Sequence, residues 1–224
     1  ETVDLRITVC GSIAQRRCFG GLLRRQRIVH GYSLVAVAAG CLRATVETYV
    51  YKQVGDLKIQ ADVYRTSASV GPVVVWIHGG ALIVGHRNSV IEALRDRFLD
   101  AGCVLVSIDY RLAPETKLPE IIEDVEDAFI WIRQRGSELF GADPGRLAVL
   151  GGSAGGYLTL VAGHRVQLPP LALVSFYGYG DLTGAWYSQP SPHPRHQQKT
   201  MSHQEAYAQV SGAPISDSRE RPGD

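Results

Sequence analysis

The sequence predicts an α/β fold with a mostly parallel central sheet, and three observations carry that prediction. Short, continuous apolar runs, clearest at Pro72–His78 and Cys103–Ile108, read as strands covered on both faces. Between them lie longer stretches whose apolar residues recur at helical spacing. Small-residue turns follow two of the runs, His78-Gly79-Gly80-Ala81 after the first and Gly151-Gly152-Ser153-Ala154-Gly155 after Arg146–Leu150. Strands interleaved with helices in this way stack as helices on a parallel sheet.

Taken in order, Glu47–Gln53 and Leu57–Arg65 alternate apolar and polar residues around Gly55-Asp56, which predicts a twisted antiparallel hairpin. Pro72–His78 is a buried strand, Asn88–Ala101 a helix and Cys103–Ile108 a second buried strand. Pro119–Arg135 is the clearest helix. Its Ile121, Val125, Ala128 and Ile132 share one face, and Glu120, Glu123, Asp124 and Asp127 read as a solvated opposite face. Arg146–Leu150 is a strand, Ala154–Val166 a helix and Leu171–Tyr177 a strand. From about 186 to 224 the composition shifts to Pro, His, Gln and Ser, with a weak helical suggestion around Ser202–Val210, and reads as a polar loop or tail.

Composition narrows the function classes. With 45% hydrophobic and 20% charged residues over 224 positions, the chain has the make-up of an ordinary globular protein with room for a sizeable core. A net charge of +1 offers no global field for nucleic acid or anionic lipid. No apolar run is long enough for a membrane span. Cys10, Cys18, Cys41 and Cys103 lack metal-ligand spacing, and no metal is expected. No G-x-G-x-x-G opens a helix after an early strand, which argues against a dinucleotide site.

Residues 1–44 form a separate leader with seven Arg against two acids, a local charge of +5 that leaves the remainder at −4. Arg24-Arg25-Gln26-Arg27 precedes an apolar stretch ending Ala38-Ala39-Gly40-Cys41, the order of a secretory or lipoprotein signal. His30 interrupts that stretch, so an exported and a cytoplasmic chain both stay open. The sole methionine is Met201, which makes Glu1 the start of a processed chain or of a piece of a longer frame.

The chemistry concentrates at the strand ends. Gly151–Gly155 has the form G-x-S-x-G, placed between a strand and a helix. A sharp turn there needs small neighbours around Ser153, lifts its Oγ above the sheet and aims a helix N-terminus at the same spot. The turn His78-Gly79-Gly80-Ala81 would bring backbone N–H groups to the same end of the sheet, where ligands bind in open α/β folds. Each motif alone also reads as a packing turn; the pair points to acyl transfer, which needs preorganised donors for a developing oxyanion.

A third segment, Asp109-Tyr110-Arg111-Leu112-Ala113-Pro114-Glu115, follows the strand 103–108. In this order the three motifs resemble the hormone-sensitive-lipase-like carboxylesterases of the α/β-hydrolase fold, over roughly residues 47–185. The resemblance implies a cofactor-free, lipase-like carboxylic ester hydrolase acting on small-molecule esters with short or medium acyl chains. It implies Ser153 as nucleophile and an oxyanion hole formed by the N–H groups of Gly80, Ala81 and Ala154. His78 and Gly79 would then be supporting residues and the 109–115 segment a brace beneath the site. Ala81 stands where many relatives carry a third glycine, and Gly152 where an acid is common.

The downstream part departs from the family. Strand 171–177 resembles the sixth of the fold, and the remaining residues are too few and too polar for two more strand units. The expectation is a core with about the first six strands present, the last two missing, and the family's acid and base absent with them. Asp181, just after the last strand, is the local candidate for the acid, and His193, with His196 and His203 beside it in the polar tail, for the base. Asp181 equally fits a turn cap, and His164, on the helix after Ser153, fits a helix surface. Two rivals remain: a catalytically inactive binding module on the same fold, and an amidase or peptidase. Oligomeric state leaves no signature.

Overall fold

A computed structural model of the chain describes residues 44–66, 70–185, 189, 202–208 and 212–221. The leader 1–44, apart from its last residue, and His193 therefore lie outside the described residues. Six strands form one sheet: β1 (Thr45–Val54), β2 (Leu57–Arg65), β3 (Gly71–Ile77), β4 (Val104–Ile108), β5 (Ala142–Gly152) and β6 (Ala172–Phe176). Their order across the sheet is β1-β2-β4-β3-β5-β6. β1 and β2 make the expected hairpin about Gly55-Asp56, β2 meets β4 antiparallel, and β4, β3, β5 and β6 run parallel.

Helices α1 (Glu92–Asp100), α2 (Leu118–Phe140) and α3 (Ala154–Arg165) cover the sheet, and a short α4 (His203–Ala208) lies in the region read as polar tail. Alternation along β3 divides the core. Val73, Val75 and Ile77 pack with Val125, Phe129 and Leu158 of α2 and α3, whereas Val74 and Trp76 pack with Leu105, Leu150 and the α1 residues Leu94 and Phe98.

Three boundaries depart from the sequence reading, and the first is β5, which runs from Ala142 to Gly152 in place of the expected Arg146–Leu150. The stretch 88–101 is split, with a 3₁₀ turn at Arg87–Ser89 before α1 starts at Glu92. Helix α2 runs past Arg135 to Phe140, because Gly136 faces the core: a Cβ there would sit 3.0 Å from that of Ala142. The helix stops at Gly141, whose φ of 68° is the left-handed cap conformation.

The solvated acidic face of α2 needs correction at one residue. Asp124 is fully buried. Its carboxylate accepts from Arg111 Nε at 2.8 Å and Nη2 at 2.8 Å, from the Arg111 backbone N–H at 2.9 Å, and pairs with Lys52 Nζ at 2.7 Å. Helical spacing puts Asp124 three residues from Ile121 and four from Ala128, at the edge of the apolar face, and its cationic partners come from other elements.

Register places the site. Ile77, the last residue of β3, sits opposite Gly151, and Gly152 opposite Phe176. The carboxyl ends of β3, β5 and β6 therefore finish side by side, and the segments that follow them converge.

Candidate active site

Ser153 sits between β5 and α3 with φ 55° and ψ −119°. A non-glycine residue in this region costs on the order of 1–3 kcal/mol and persists only when its surroundings impose it. Here the Ser153 N–H donates to Phe176 O at 2.9 Å, and its carbonyl accepts from Tyr157 N at 3.0 Å. The flanking glycines allow the turn to close: a Cβ on Gly151 would lie 2.2 Å from Gly155 O, and one on Gly155 would lie 2.0 Å from Ile77 O. Ser153 is half-buried, and its Oγ lies 3.4 Å from Tyr179 Oη.

The loop after β3 lies directly against this turn. A Cβ on Gly79 would be 2.8 Å from Gly152 O and 3.3 Å from Ser153 Cβ. Beyond it Gly80, Ala81 and Leu82 all have positive φ, at 115°, 56° and 65°. The Gly80 carbonyl accepts from Ile83 N and Val84 N at 2.9 Å each, and the Leu82 carbonyl from Ala113 N at 2.8 Å. Among the described residues, the N–H groups of Gly80, Ala81 and Ala154 donate to no protein acceptor.

His78 is completely buried and stacks on Tyr110 at 4.3 Å between ring centroids. The Tyr110 hydroxyl donates to His78 O at 2.9 Å. His78 Nδ1 lies 2.8 Å from Gly79 O, a contact that places the ring proton on Nδ1. Burial pulls its pKa down to about 4, so the ring is neutral at pH 7. Asp109 is bound on both oxygens by Arg87, through the backbone N–H and Nη1 at 2.6 Å each. Arg87 Nε also reaches Asp62 at 2.9 Å. Burial pushes the Asp109 carboxyl up to about 6 against the pull of Arg87.

Of the remaining candidates, Asp181 is exposed and accepts from Thr183 N and Oγ1 at 2.7 and 2.8 Å, the geometry of a turn cap, which holds its pKa below the usual value. No hydrogen bond links it to Ser153 among the described residues. His193 lies outside the described residues, and His164 is exposed on α3. Sequence reasoning missed Tyr179, whose only signal was its place two residues beyond Tyr177 in a glycine-flanked turn. A cavity of about 650 Å³ opens beyond Tyr179, between the start of α2 and α3, but Ser153 is not part of its wall. No group of His, Cys, Asp or Glu suited to a metal ion occurs among the described residues, and no helix there is long and apolar enough to cross a membrane.

The family described as alpha/beta hydrolase fold matches residues 74–218. The chain belongs to this family. It is 43% identical over 105 residues to the carboxylic ester hydrolase LipN of Mycobacterium tuberculosis, covering 46% of this chain and 28% of that one. It is 34% identical over 183 residues to a non-reducing polyketide synthase of Preussia isomera, covering 74% of this chain and 8% of the synthase. Among solved structures, a bacterial heroin esterase aligns with a TM-score of 0.50 and 29% identity, over 58% of this chain and 44% of that one. The chain spans less than a third of the length of these two curated relatives. By family it is related to carboxylesterases.

Proposed function

We propose that this chain carries the nucleophile of a serine carboxylesterase acting on short or medium acyl esters. The observation that carries the reading is the apposition of Ser153, in its positive-φ turn, with the glycine loop at Gly79. Ser153 Oγ attacks the ester carbonyl and gives its proton to a base. Negative charge develops on the carbonyl oxygen, toward which the N–H groups of Gly80, Ala81 and Ala154 donate. The tetrahedral intermediate collapses with cleavage of the acyl C–O bond, and the alcohol leaves with a proton. Water then attacks the Ser153 acyl ester and releases the acid.

For the base we propose His193 of the tail, with His196 and His203 as the other histidines there, and for the acid Asp181 once it leaves its turn contacts with Thr183, in the Ser…Asp…His chain order of the fold. Hydrolysis of p-nitrophenyl butyrate, with mass detection of a butyryl group on the Ser153 peptide, tests the reading. His193→Ala is expected to lower turnover by about a thousandfold or more. A second reading, a ligand-binding module without turnover, is favoured by one observation: among the described residues, the Tyr179 hydroxyl is the side-chain group joined to Ser153 Oγ. An unassisted serine is a weak nucleophile, and the absence of any butyryl adduct would select that reading.

A further inference from the structure

We propose that residues 215–221 form a strap that sets the position of the glycine loop, with Ser218 and Arg221 as its positioning residues. The proposal rests on the reading of that loop as the oxyanion hole. The contacts run between segments more than a hundred positions apart. Gly85 N donates to Ser218 Oγ at 3.0 Å, and Ser218 N donates back to Gly85 O at 3.2 Å. Leu112 N donates to Ile215 O at 2.9 Å, which ties the strap to the 109–115 segment. Arg221 closes the far end: its Nε and Nη2 grip both oxygens of Glu115 at 2.8 Å each, while Nη1 reaches Ile83 O and Nη2 reaches Ala113 O, both at 2.9 Å. Ser216 and Asp217 are buried between these grips.

The point of attachment matters because the loop folds back on itself. Gly85 has φ 114°, and a Cβ there would lie 2.4 Å from His78 Nδ1 and 2.6 Å from Gly79 O. The end of the loop thus rests on its beginning. Gly80 O holds Ile83 and Val84, and Ala113, which holds Leu82, is itself held by Arg221. Holding Gly85 and Ile83 from outside fixes the segment that presents the Gly80 and Ala81 N–H groups. Three successive positive-φ residues would otherwise relax toward commoner conformations. Small misplacements of a preorganised donor are expensive, because its value lies in already occupying the geometry of the transition state.

The test compares the wild-type 224-residue chain with Ser218→Ala and Ser218→Thr by two readouts. The first is backbone hydrogen exchange of residues 83–85. Loss of the Ser218 hydroxyl is expected to speed it by about tenfold, with α2 and α3 unchanged. The second is the second-order rate of fluorophosphonate labelling at Ser153, expected to fall by about tenfold or more. Ser218→Thr, which keeps the hydroxyl, restores both. Arg221→Lys, which keeps the charge but loses the fork on Glu115, shifts both in the same direction and serves if Ser218→Ala does not fold. Unchanged exchange at 83–85 overturns the strap. Faster exchange with an unchanged labelling rate overturns its role in positioning the hole. If the wild-type chain is not labelled at Ser153, the serine-nucleophile reading fails instead, and exchange alone decides the strap.

Discussion

Gly155 is held to hydrogen by its neighbours: a methyl group there would meet Ile77 O at 2.0 Å and His78 O at 2.6 Å. Gly155→Ala must push α3 off β3 and is expected to cost about 1–3 kcal/mol or more, read as a lowered denaturation midpoint. Gly180→Ala, with open space around its Cβ position, leaves that midpoint nearly unchanged. His78 supplies a second check at this scale. Its ring in the folded chain titrates at about 4, against about 6.5 unfolded. The unfolded chain therefore takes up this proton first as pH falls. The His78 contribution to stability is present above pH 6.5 and is lost as pH falls from 6.5 toward 4, at up to about 1.4 kcal/mol per pH unit. Asp109, raised to about 6, acts in the opposite sense over part of that range, so the individual ring must be followed. The His78 proton resonances should stay fixed until about pH 5.5 and then move with a midpoint near 4. A midpoint near 6.5 would show that the ring is not buried.

At the scale of elements, α2 shows what sequence patterning conveys and what it omits. The apolar positions Ile121, Val125, Ala128 and Ile132 announce both the helix and its buried face, and all of them are buried. The same pattern places Asp124 among acids on a wet face, because charge type reveals solvation only when no partner is near. The partner, Arg111, comes from the segment after β4, and nothing in local spacing points to it. Asp124→Ala strands the largely buried Arg111 guanidinium and is expected to cost about 3–5 kcal/mol in chemical denaturation. Glu123→Ala, on the exposed side, changes stability by less than about 0.5 kcal/mol. The strands after which the motifs fall were legible for a related reason. Runs such as Val73–Ile77 are apolar at every position, and only a strand covered on both faces needs that.

Across the whole molecule, the sheet and the convergence of Ser153 with Gly79 could be read from the order of motifs, because parallel strands bring their carboxyl ends to one side. The packing of 215–221 on the glycine loop could not. Its polar composition matches that of a free tail, and its partners lie more than a hundred residues upstream. β6 is one edge of the sheet among the described residues, β1 being the other, and its Val174 is 39% exposed on the side away from α3. An apolar edge of this kind invites strand pairing between copies. Val174→Lys is expected to lower concentration-dependent association in analytical ultracentrifugation without a change in fold. The proposed chemistry requires Ser153 to be an activated nucleophile. The most direct measurement is labelling of the folded 224-residue chain with a fluorophosphonate, beside Ser153→Ala. An activated Ser153 gives a single adduct at that residue, which disappears in the variant. A folded chain that takes no label, or keeps its label when Ser153 is replaced, would contradict the proposed chemistry.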